Sequence, residues 1–271
     1  MSSIKEKIQL NATTIKILAI VLMVCDHVHQ MWAAAGAPIW LTWLGRPVLP
    51  IFLFVMADSF HYTRNRKKFL ERLLLASCIM IICTTGLQLL LPNDDTILAN
   101  NAFMTFFVAG LYMLFYDMFV SGVKEKKAGK IVGSILLCLV PVATSILGIF
   151  LIPESGSGIF SEKITRVILF VFFMVPNLIA IEGGFTAVLL GVLFYAFRKW
   201  RWAQIAALVA FSALSFITSK GQDPANQWLM VLAVIPMLLY NGAKGRGMKY
   251  FFYIFYPAHI FLLYIIATLL K

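Results

Sequence analysis

Apolar residues come in long blocks along this chain, separated by short polar or charged stretches. Ten blocks lie near 13–32, 46–62, 69–91, 101–119, 131–152, 164–180, 184–198, 201–218, 227–241 and 249–270. Most approach the roughly 20 residues that a helix needs to cross a hydrocarbon core of about 30 Å. In lipid only a helix or a closed barrel satisfies its own backbone, and the alternating strands of about ten residues that a barrel requires are missing. The pattern predicts an all-α fold: a polytopic transmembrane helical bundle of about ten hydrophobic segments, forming one integral-membrane domain over 1–271. One element is expected to be broken. Pro176-Asn177 and Glu182-Gly183-Gly184 interrupt residues 163–197, and broken helices in membranes line buried or watery sites.

Composition and charge orient this bundle. The chain is 61% hydrophobic and 13% charged, with a mean hydropathy of +0.87. In such a chain a net charge of +11 marks basic cytoplasmic loops at an anionic leaflet, not a nucleic-acid surface. The clusters are Lys5/Lys7/Lys16, Arg64/Arg66/Lys67/Lys68/Arg72, Lys124/Lys126/Lys127/Lys130, Arg198/Lys199/Arg201 and Lys244/Arg246/Lys249, and Asp94-Asp95 is acidic. The positive-inside rule then places the N-terminus in the cytoplasm, with the first four spans running up and down in turn. With an external loop at 153–162, the later clusters leave ten crossings that break the rule, or nine with a broken sixth element. Met1–Asn11 lacks a cleavable-signal design, so the first span is expected to serve as the insertion signal. The four cysteines lie in apolar runs without CxxC spacing, so neither a zinc site nor a disulfide framework is expected, and no metal.

The chemistry centres on Cys25-Asp26-His27-Val28-His29 in the first span. An aspartate at membrane depth costs roughly 2.5–3.5 kcal/mol on insertion scales, which calls for a function or a hydrogen bond locking neighbouring helices. At 1.5 Å per residue His27 lies roughly 20 Å into the span, in the outer half of the membrane. Arg46 opens the second segment at the same level, Asn101 starts a span on that side, Glu182 falls at the break, and Tyr256-Pro257-Ala258-His259 lies in the last span. Asp26 and His27 point about 100° apart on a helix. One therefore faces a reaction centre while the other braces a neighbour, with Arg46 the candidate partner. His27 suits a general base, because imidazole titrates near neutrality; Asp26 and Arg46 complete the catalytic set. Asn101, Glu182, Tyr256 and His259 are candidates for substrate binding or an oxyanion donor, and His29 and His61 read as boundary residues. Arg64, Lys68 and Arg72 recur at four-residue spacing, as one basic helical face for the phosphates of an anionic donor. Lys244, in the glycine-rich run 240–247, is a further phosphate candidate. GxSxG, HExxH, Rossmann and kinase motifs are all missing. The same Asp, His and Glu residues equally suit the proton relay of a proton-coupled transporter.

Taken together, these stretches resemble the TraX family, named for the protein that acetylates the N-terminus of conjugative F-pilin. The resemblance is carried by residues 15–27 ending in Cys25-Asp26-His27, and by Arg46-Pro47-Val48-Leu49-Pro50-Ile51-Phe52. It continues through Thr63-Arg64-Asn65-Arg66-Lys67-Lys68-Phe69 with Arg72, then Asn101, Glu182-Gly183-Gly184, Tyr240-Asn241-Gly242 and 250–259. The family is similar in outline to acyltransferase family 3 and to the lysosomal heparan glucosaminide N-acetyltransferase. The resemblance implies a multi-pass enzyme of the bacterial cytoplasmic (inner) membrane. It would move an acetyl or other short acyl group from acyl-CoA, the donor substrate, to an amine or hydroxyl acceptor: a small molecule, a glycan or a peptide N-terminus. Ala258 departs from the larger apolar residue common there, which bears on packing.

Overall fold

The computed structural model describes residues 9–151 and 162–270; Lys5, Lys7 and all but the last residue of the expected 153–162 loop lie outside them. The helices are α1 Ala12–Trp32, α2 Trp40–Gly45, α3 Val48–Tyr62, α4 Arg66–Leu90, α5 Ala102–Lys124 and α6 Ala128–Leu151. They continue with α7 Glu162–Met174, α8 Gly184–Ala196, α9 Arg201–Ser219, a 3₁₀ segment Gln227–Ala233 leading into α10 Val234–Leu239, and α11 Lys249–Leu269. Among the described residues there is no strand, only an isolated bridge between Leu10 and Tyr240.

Each apolar block falls on helix, but the blocks are not equal. Among the described residues, seven stretches are long and apolar enough to cross a membrane: Ala12–Trp32, Trp40–Tyr62, Arg66–Leu90, Ala102–Lys124, Ala128–Phe150, Arg201–Ser219 and Tyr250–Leu269. Three are shorter, Ile164–Met174, Gly184–Ala196 and Gln227–Leu239. The protein is an all-α, multi-pass membrane protein. With 13 residues each, α7 and α8 reach about 20 Å, short of a bilayer core of about 30 Å.

The chain forms two compact units, one of residues 1–59, 84–99 and 193–271, the other of 60–83 and 100–192. In the first unit, Asn11 caps α1 by accepting from the Thr14 amide at 3.0 Å. The segment after α10 docks on that end. Leu10 N donates to Leu239 O, Asn241 N to Leu10 O and Ala12 N to Ala243 O. The Thr13 hydroxyl holds the carbonyls of Lys244 and Arg246 at 3.1 and 2.7 Å. Gly245 has φ +68°, and a Cβ there would meet Asn11 Oδ1 at 2.3 Å, so only glycine fits. Nearby, the Arg201 guanidinium lies over the rings of Phe54 and Tyr240, and the Tyr240 hydroxyl donates to Asp58 at 2.8 Å.

The second unit contains the interruption that the sequence announces. Between α7 and α8 the backbone leaves the helix over 175–183, and side chains satisfy it. Asn177, fully buried, donates to the carbonyls of Phe172 and Val175 and accepts from the amides of Ile179 and Ala180. Thr144 donates to Pro176 O, Ser145 accepts from Leu178 N, and Thr105 donates to Glu182 O. Irregular backbone persists at membrane depth only when protein supplies such partners. The expected basic helical face is shorter than its spacing suggests. Asn65 accepts from the Lys68 amide at the start of α4, so Lys68 and Arg72 lie on the helix while Arg64 stays in the turn before it.

Candidate functional site

The inward face of α1 carries Ala12, Ile15, Ala19, Met23, His27 and Met31, spaced by three or four residues. This is the helical stripe that buries against neighbours, and His27 is on it. Asp26, one residue earlier, is turned off that stripe by the helical repeat.

His27 meets the last helix. Its Nδ1 lies 2.7 Å from Nε2 of His259, and the two residues are 5% and 8% exposed. The ring planes differ by 22° with centroids 4.9 Å apart. Given the nitrogen–nitrogen distance, this is an edge-to-edge N–H···N bond rather than a π stack. On its other side, His259 Nδ1 is 2.7 Å from the Phe255 carbonyl. A carbonyl only accepts, so Nδ1 of His259 carries the proton and its Nε2 the lone pair. That lone pair accepts from His27 Nδ1–H, which puts the lone pair of His27 on Nε2. The tautomers of both rings follow from one carbonyl on α11.

Asp26 has a different partner. Its Oδ1 is 3.0 Å from Arg46 Nη2, and Arg46 also donates from Nε to Thr42 O at 3.1 Å and from Nη1 to Gln227 Oε1 at 2.8 Å. The pair is about a quarter exposed, 26% for the Asp26 side chain and 21% for Arg46. Gly45 makes the approach possible, since a Cβ there would lie 2.4 Å from Asp26 Cβ and Cγ. Trp43 Nε1 donates to Pro224 O at 3.1 Å, tying the same turn to the segment that presents Gln227. Asp26 and Arg46 thus act as a brace between α1, the α2–α3 turn and the 3₁₀ segment.

Tyr256 is buried, its ring centroid 6.0 Å from that of His259. Lys244 is exposed in the docked loop. The other candidates belong to the second unit. Asn101 caps α5 through the Met104 amide and gives its NH₂ to Ser77 Oγ at 2.8 Å, and Glu182 closes the broken segment with its carbonyl on Thr105. Arg64 and Lys68 are exposed, and Arg72 is half-buried, its Nε without a partner among the described residues. Arg66, read as part of the orientation signal, forms an ion pair with Asp117 and lies 5.1 Å over the Phe60 ring. Sequence reasoning missed Gln227 and Gly45. Gln227 carried one signal, a polar side chain at the mouth of an apolar block.

The model of the family described as TraX protein matches residues 11–267. A probable fimbrial assembly protein FimC, serogroup H1, of Dichelobacter nodosus is 25% identical over 262 residues, covering 94% of this chain and 95% of its own length. No solved structure matches. With the family model running from the cap of α1 to the last turns of α11, the chain belongs to the TraX protein family.

Proposed function

We propose that this protein is an acyl-CoA-dependent membrane acyltransferase, most simply an acetyltransferase, whose general base is Nε2 of His27. One observation carries the reading: the ordered chain from the Phe255 carbonyl through His259 to His27. It fixes the tautomer of a buried imidazole and stabilises the imidazolium that forms when Nε2 takes a proton, as the third member of a catalytic triad does. The acceptor amine or hydroxyl gives its proton to Nε2 as it attacks the thioester carbonyl. The tetrahedral intermediate collapses, the carbon–sulfur bond breaks, and the CoA thiolate takes the proton back from His27. The Tyr256 hydroxyl is the proposed donor to the oxyanion, a contribution typically near 3 kcal/mol. Asp26 and Arg46 hold α1 in place for this chemistry. The name of the FimC relative favours the amino terminus of a fimbrial or pilin-type polypeptide among the possible acceptors.

The test is transfer of labelled acetyl from acetyl-CoA to pilin-type N-terminal peptides by the purified protein. His27→Ala should lower turnover by about 10²–10⁴-fold, the usual weight of a general base, measured at a temperature where thermal unfolding shows the variant folded, since truncating this buried ring also lowers the midpoint. Normal turnover in the folded variant overturns the reading. A buried, proton-ordered histidine pair also suits a proton-coupled transporter; proton flux in proteoliposomes that depends on His27, without any acyl transfer, would establish that instead.

A further inference from the structure

We propose that the loop docked on the amino end of α1 builds a phosphate-binding site from Lys16, Lys244 and Arg246. The proposal stands apart from acyl transfer and concerns only the first unit. Three features converge there. An open surface depression of about 380 Å³ lies beside the loop, lined by Arg246, Gly247, Met248, Tyr250 and Phe251. The Lys16 ammonium is held 5.3 Å from the centroid of the Phe252 ring, next in sequence to the lining residue Phe251, and Thr13, three residues before Lys16, holds the Lys244 carbonyl at 3.1 Å. None of the three cations forms an ion pair among the described residues.

The fold enforces this crowding of like charge. Thr13 gathers the Lys244 and Arg246 carbonyls onto α1, and Gly245 between them takes a left-handed conformation against Asn11 that no other residue could adopt. A loop that needs a glycine and two main-chain anchors to bring cations toward a half-buried lysine is suited to an anion. A guanidinium fork with two ammonium groups matches phosphate, and the Tyr250 and Phe251 side chains give the depression an aromatic wall. The phosphate can belong to the nucleotide end of CoA or to a lipid headgroup.

The experiment measures dissociation constants for CoA and for inorganic pyrophosphate by calorimetry in dodecyl maltoside, and phosphatidylglycerol retention by native mass spectrometry. Wild type is compared with Lys244→Ala/Arg246→Ala, with Thr13→Val, and with Lys199→Ala/Lys220→Ala, two exposed lysines, as an equally basic reference. At least one ligand should bind wild type and weaken tenfold or more in Lys244→Ala/Arg246→Ala. Thr13→Val, which keeps every cation but loosens the loop, should weaken it several-fold, and the reference pair should leave it unchanged. CoA binding that pyrophosphate competes away assigns the site to a nucleotide; retention of phosphatidylglycerol alone assigns it to lipid. The site is overturned if none of the three ligands binds, if Lys244→Ala/Arg246→Ala binds like wild type, or if Lys199→Ala/Lys220→Ala loses binding as much as Lys244→Ala/Arg246→Ala does. Phosphate binding without acyl transfer would leave the site standing and remove the acyltransferase.

Discussion

At the scale of single residues, under the acyl transfer proposed above, the second imidazole would take the place that a carboxylate holds in a hydrolase triad. His259 needs only an acceptor at Nε2 to orient His27, and a glutamine offers one. His259→Gln should therefore retain clearly more acyl transfer than His259→Phe, which fills the space but leaves His27 Nδ1–H without its partner; parallel kcat measurements on folded variants check this. Removing Asp26 leaves Arg46 partly buried without its counter-charge. Breaking a fully buried pair costs about 3–5 kcal/mol and an exposed one under about 1, so Asp26→Asn should cost roughly 1–3 kcal/mol in detergent unfolding, with Arg46→Gln restoring part of it. Gly45→Ala should cost a similar amount by pressing a methyl into Asp26. Helical phase made much of this legible: neighbouring positions 26 and 27 point apart, and Arg46 opens the adjacent segment. The role of His259 and the hold of Gln227 on Arg46 were not legible, because they depend on which helix packs beside which, and no local pattern encodes that.

At the scale of elements, the break between α7 and α8 depends on Asn177. Four hydrogen bonds of one buried side chain replace the helical ladder there, and Asn177→Ala would leave buried backbone groups without partners. A loss of about 2–4 kcal/mol is expected, at 1–3 kcal/mol for each group left unsatisfied with some relaxation, read as a lowered midpoint in thermal unfolding. The turn joining α5 to α6 gives a pH signature. Hydrogen bonds from Lys127, Lys130 and Ser121 hold the Glu125 carboxyl down at about 2, below its ordinary value of 4.5. A depressed carboxylate contributes its stability in full above its unfolded value and loses it as pH falls through the folded one. Glu125→Gln should therefore flatten the pH dependence of unfolding between about 4.5 and about 2. The break itself was visible as Pro176-Asn177 and Glu182-Gly183-Gly184. The 3₁₀ winding of Gln227–Ala233 was not, since its apolar run looks like any other short helix.

At the scale of the molecule, the first unit has two chemically distinct ends. The 21 residues of α11 span about 30 Å. Its start adjoins the basic loop of Lys244 and Arg246, while near its finish Tyr264 and Thr268 bond Leu91 and Asn93, beside Asp94-Asp95. If basic residues face the cytoplasm, then in a chain freed of native cysteines an impermeant maleimide should label Asp95→Cys in intact cells. Lys244→Cys should react only after permeabilisation; the reverse pattern would invert the topology. Charge made these ends readable from sequence, whereas the division of the described residues into seven long helical stretches and three short ones turned on where each helix stops. The pairing of His27 with His259 also has a consequence in time. The two residues are 232 positions apart, one in α1 and the other in α11. At roughly 5–20 residues per second, the first imidazole waits in the bilayer from about ten seconds to most of a minute before its partner is made. Until then the nascent chain lacks the pair, and no translation product ending before α11 has it: synthesis itself sets when the contact can form.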